Sequence, residues 1–76
     1  MAKKKQTLSI KQALDIAAKH HNASRLVEAE DIYRKVLEKI PNQSVALHHL
    51  GLLLHQKGKS KQGITFIEKA LSINPN

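Results

Sequence analysis

Apolar residues recur along this chain at helical spacing. Ile10, Ala13, Leu14 and Ala17 fall at i, i+3, i+4 and i+7, and Ala29, Ile32, Tyr33, Val36, Leu37 and Ile40 repeat the rule with larger side chains. Ala46, Leu47, Leu50, Leu53 and Leu54 form a third stripe, and Ile64, Ile67, Ala70 and Leu71 a fourth. No segment alternates apolar and polar residues as a half-buried strand does, so the pattern predicts an all-α chain.

The interruptions carry turn and cap chemistry. Ser9 followed by Gln12 predicts a capping box, each side chain satisfying a free N–H of the first turn. Asn22-Ala23-Ser24 breaks the first stripe, with Ser24 placed to cap a second helix. Pro41 ends that helix, because proline disfavours helical geometry in the residue before it. Gly58 suits a helix C-terminus and Ser60 the next N-cap. Four helices follow, over residues 9–22, 25–40, 44–57 and 60–73.

A repeat sets the topology. Each of the two prolines precedes an asparagine, so that Pro41-Asn42 recurs as Pro75-Asn76. The same offset pairs Tyr33 with Ile67, Val36 with Ala70, Leu37 with Leu71 and His21 with His55. The second unit reads Leu47-x2-Leu50-Gly51-x2-Leu54, then Gly63-x3-Ile67, Ala70 and Pro75; the first reads Ala13-x2-Ile16-Ala17-x2-His20, then Ala29-x3-Tyr33, Val36 and Pro41. With a period of about 34 residues and this order of large and small positions, the chain resembles a pair of tetratricopeptide repeats.

The resemblance implies four antiparallel helices arranged as two helix–turn–helix units, a fragment of an α-solenoid. Residues 1–9 would be a basic flexible leader, 10–43 the first unit and 44–76 the second. Ala17, Gly51 and Ala29 would let paired helices approach closely, with Tyr33 and Ile67 filling the space between them. The first unit departs from the pattern at Ala13 and His20, which are small and polar where large apolar residues are usual. Gly63 stands where alanine is usual, a cost of about 1 kcal/mol that predicts fraying at the start of the fourth helix.

Family resemblance also implies a function: a non-catalytic protein-interaction module, with a groove lined by the first helix of each unit. Helical geometry turns Lys11, Asp15, Ala18 and Asn22 away from the Ala13–Ala17 side, and Val45, His49, Leu52 and Gln56 do the same in the second unit. Leu14, His21, His48 and His55 lie at the edges of this strip. These twelve residues are the candidate contacts for a protein or peptide partner. Some family members grip a terminal carboxylate there; Asp15 argues against such a clamp, since only Lys11 supplies positive charge. Two units are fewer than the roughly three that stacked repeats need. The last helix would leave Ile64, Phe66, Leu71 and Ile73 uncovered, predicting a homo-oligomer or continuation into a larger protein.

Composition narrows the chemistry. Seventy-six residues make one small domain, and the absence of cysteine excludes disulfides, thiolate nucleophiles and zinc–thiolate sites. Thirteen Lys and Arg against six Asp and Glu give +7, which raises an alternative reading as a binder of nucleic acid or an anionic surface. The excess divides into +4 over residues 1–11 and +3 over residues 43–76, around a neutral middle. Lys3–Lys5 and the Lys57–Lys61 turn would carry that alternative. Their separation of roughly 20 Å, from about 14 residues at 1.5 Å each, argues against one continuous stripe. The scarcity of aromatics (one Tyr, one Phe, no Trp) argues against base stacking.

Five histidines raise a metal site, but one helix chelates through i, i+4 pairs. His20-His21 and His48-His49 are adjacent, so their rings should diverge, and no metal or other cofactor is expected. No nucleophile–base pair or phosphate loop is spaced for catalysis, and the chain is read as no enzyme. No apolar run reaches the roughly 18 residues of a membrane span, and Leu8-Ser9-Ile10-Lys11 breaks any signal-peptide core. The expected compartment is the cytoplasm.

Overall fold

A computed structural model describes residues 9–75. Four helices follow in order: α1 (Ile10–Asn22), α2 (Leu26–Lys39), α3 (Ser44–Gln56) and α4 (Ser60–Ile73). They form two antiparallel pairs, α1 with α2 and α3 with α4; α2 packs on α3, and α1 meets α3 only briefly. Each helix therefore rests mainly on its sequence neighbours, as in a solenoid.

The ends show why the helices start and stop. Ser9 and Gln12 form the capping box, with Gln12 N–H donating to Ser9 Oγ at 3.0 Å and Ser9 N–H to Gln12 Oε1 at 2.9 Å. Gln43 caps α3, its Oε1 accepting from Val45 N–H at 2.7 Å and Ala46 N–H at 3.3 Å. Ser24 and Ser60, expected as caps, are not: the N-cap positions are Arg25 and Lys59, neither of which makes a side-chain capping bond. Ser24 instead takes the left-handed conformation, φ +64°, that closes α1. Its counterpart in the second unit, Gly58, does the same at φ +86° and closes α3.

The two closing turns match bond for bond. Ser24 N–H donates to His21 O and Arg25 N–H to His20 O; Gly58 N–H donates to His55 O and Lys59 N–H to Leu54 O. Both are Schellman motifs, in which a left-handed residue lets the chain satisfy the last helical carbonyls. Ahead of the prolines, Ile40 N–H bonds Val36 O and Asn74 N–H bonds Ala70 O, again at equivalent positions of the two units.

The core is asymmetric along the chain. Helix α3 buries Ala46, Leu47, Leu50, Gly51, Leu53 and Leu54, whereas α1 buries only Ala17. Tyr33 of α2 is 1% exposed and packs in the same cluster as Ala17, Ala29, Leu50 and Leu53. Gly63 does not loosen α4, which is helical from Ser60 onward. A β-carbon on Gly63 would collide with the Gly51 carbonyl oxygen, and one on Gly51 would stand 2.7 Å from the Gly63 oxygen. The two glycines set the closeness of α3 and α4.

Candidate interaction surface

Helices α1 and α3 carry the twelve strip residues, and the structure divides them. Lys11 and Asp15 are exposed and pair at 3.7 Å, so the one lysine available for a carboxylate clamp is already engaged by its neighbour. Leu14 and Ala18 are half-buried, Leu14 against the core; Asn22 is exposed. On α3, Val45 and Leu52 lie one heptad apart and are 47% and 40% exposed.

His21, Tyr33, His49 and Gln56 come together where α1, α2 and α3 meet. Nε2–H of His21 donates to Oε1 of Gln56, bridging α1 to α3. The Tyr33 ring meets His21 edge-on, centroids 6.5 Å apart, and His49 at 5.9 Å. Its hydroxyl is 3.5 Å from His49 Nδ1, the outer limit of hydrogen-bond reach. Burial lowers the His49 pKa below its usual value, with His48 and His21 adding repulsion; burial raises that of Tyr33. The rings of His48 and His49, expected to diverge, lie 5.6 Å apart in a T-shaped contact.

His55 lies outside this cluster. Its Nδ1 is within hydrogen-bond distance of Ser60 Oγ, 2.9 Å, at the turn into α4. Its repeat equivalent, His21, is bonded to Gln56. Among the described residues, no three His, Asp or Glu side chains gather as metal ligands. Sequence reasoning treated Tyr33 only as core filling; a phenol whose repeat equivalent is Ile67, near adjacent histidines one unit later, was the available signal.

The second apolar surface is on α4. Ile64, Leu71 and Ile73 are 52%, 51% and 41% exposed. Phe66, expected beside them, is turned inward: it is half-buried against the core, with the Arg34 guanidinium 5.9 Å from its ring centroid. The aromatic ring covers the flank of α2 rather than the outer side of α4, because it stands two residues, about 200° of helical turn, from Ile64.

The basic turn is only partly free. Lys57 Nζ donates to Glu30 Oε1 at 2.7 Å, while Arg34 Nε donates to Glu30 Oε2 at 2.8 Å. These two bonds hold the Glu30 carboxyl below the usual carboxylate range. The anionic-surface alternative therefore loses one of its lysines at the Lys57–Lys61 turn, and Lys3–Lys5 lie outside the described residues.

Compared with known families, residues 44–76 match the tetratricopeptide repeat. The second helical pair is a tetratricopeptide-repeat-like unit. Across the repeat offset, the first pair has the same helices and closing turns, so the fold is a tandem of tetratricopeptide-repeat-like units. A search of curated proteins finds no match to the chain. Tetratricopeptide repeats in general mediate protein–protein interaction and are typically non-catalytic. No helix among the described residues is long and apolar enough to cross a membrane.

Proposed function

We propose that the chain is a non-catalytic interaction module that takes a peptide or helix along the strip formed by α1 and α3. The observation that supports this most is the exposed pair Val45 and Leu52, one heptad apart on α3. His48 and His49 lie between them, and the His21–Gln56 bond joins this surface to α1. Apolar anchors between polar hydrogen-bonding groups suit a segment read at i, i+4 and i+7.

A peptide library displayed against the full chain tests the reading. Selected peptides should lose at least about tenfold in affinity to the Leu52→Glu variant, as expected for an anchor contact. Selection of no peptide, together with sub-micromolar binding of a random DNA duplex at about 0.15 M salt, would replace the module with the anionic-surface alternative.

A further inference from the structure

The internal joint between the two units is a worked example of what the outer face of α4 accepts. Two contacts orient α3 on α2: His49 against Tyr33, centroids 5.9 Å apart, and Lys57 on Glu30 at 2.7 Å. Leu53, one helical turn from each and fully buried, lies on the same side, as does Ala46 just under a turn before His49. The α2 side of this joint is Glu30, Tyr33 and Leu37, at i, i+3 and i+7. Their equivalents one repeat later are Ile64, Ile67 and Leu71 of α4. The Glu30 side chain is 16% exposed and Leu37 is half-buried, but Ile64 and Leu71 are 52% and 51% exposed. A cleft lined by Val45, His48, Ala70 and Leu71 runs beside them, between the start of α3 and the end of α4.

The same register says what fits. A second copy docking head to tail would present α1, where Gln12 and Lys19 stand in place of Ala46 and Leu53. Both are exposed polar residues in this chain, and they would carry an amide and an ammonium into an apolar joint. Where the internal joint pairs Glu30 with Lys57, α4 offers Ile64, so the complementary position is apolar. Lys59 and Lys61 stand at that end, and residues 57–67 contain no Asp or Glu.

We propose that the Ile64–Ile67–Leu71 face of α4 docks an amphipathic helix of another protein, apolar at i, i+3, i+7 and i+11 and acidic at the end beside Lys59 and Lys61. The inference rests on the reading of the chain as an interaction module and adds the chemistry of one partner. An occupant running parallel to α3 brings its C-terminus to the lysines, where acidic side chains meet them directly.

The test uses the full chain and two labelled synthetic peptides. Both copy residues 43–57 with His49→Leu and Lys57→Leu; one ends in three added glutamates, the other in three added lysines. In anisotropy titrations the acidic peptide should bind about tenfold tighter, and the difference should shrink at about 0.5 M salt. Leu71→Glu and, independently, Ile64→Glu should each weaken it about tenfold while keeping the circular dichroism melt of the parent chain; Leu52→Glu should leave it unchanged. Failure of both peptides to bind, or equal affinities, would overturn the proposal. Loss on Leu52→Glu alone would also overturn it, while leaving the α1/α3 strip as the binding surface. A sedimentation dimer that Leu71→Glu dissolves would make a second copy the occupant instead.

Discussion

Gly51 and Gly63 face each other across the α3–α4 contact, each occupying space that a β-carbon on the other would need. By helix propensity, alanine at position 63 should gain about 1 kcal/mol. Its methyl group would instead force the Gly51 carbonyl away, an overpacking cost of about 1–3 kcal/mol. Gly63→Ala is therefore expected to lose up to about 2 kcal/mol net. Urea unfolding measures this, and an unchanged or raised midpoint would show that the two helices can separate freely.

Ser24 and Gly58 make the same left-handed turn, but only one is a glycine. The left-handed conformation costs a residue with a side chain about 1–2 kcal/mol. Glycine removes that cost and gives back roughly 0.4–1 kcal/mol through its freer unfolded chain. Ser24→Gly should stabilise the protein by about 0.5 kcal/mol, and Gly58→Ser should destabilise it by a similar amount. Space does not enter at Gly58, where an added β-carbon would meet nothing within 4 Å. Thermal melts of the two variants should move in opposite directions.

Acid should weaken the joint between the units. Burial, His48 and His21 all disfavour charge on His49, so its folded pKa lies below its unfolded value near 6.5. The folded state then binds fewer protons than the unfolded one at mildly acidic pH. This contribution is fully present above about pH 6.5 and is lost as pH falls through the folded pKa. The ion pairs found among the described residues place no carboxylate on His21, His48 or His49 to offset the new charge. Urea midpoints measured from about pH 8 to 5 should fall, and His49→Gln should flatten that slope. An unaltered slope in the variant would assign the effect to other groups.

Glu30 titrates in a different window. Its pKa is lowered by Lys57 and then Arg34, so its contribution is present above about pH 4.5 and lost as pH falls below it. Glu30→Gln should cost about 1 kcal/mol near neutral pH, because two charge-assisted bonds converge on a carboxylate that is only 16% exposed. Asp31→Asn, which removes an exposed pair with Lys35 at 3.2 Å, should stay within about 0.5 kcal/mol. Denaturation of both variants in parallel gives the comparison.

Much of the fold was legible because it is written twice. Two Pro-Asn pairs at a fixed offset and four helical stripes located every helix to within a residue or two. Ser9 could be assigned as a cap because Gln12 stands at the reciprocal position. Ser24 was misread because serine serves both caps and turns; only its alignment with Gly58 reveals the backbone's demand. The site was less legible. Lys57 finds Glu30 across 27 residues, and Tyr33 meets His21 and His49 only when three helices converge. Phe66 was placed outside because a stripe read from one helix does not say which neighbour covers its edge.

Helix α3, with six buried residues, has neighbours on both sides: α4 of its own unit, on which it packs most, and α2 of the first unit. Cutting the molecule at the repeat boundary would strip Ala17, Tyr33 and Val36 of Leu50 and Leu53, leaving an exposed half-core. The two units should therefore melt as one cooperative body, in a single transition with coincident probes. The period visible in the sequence divides the chain for counting, but not for unfolding.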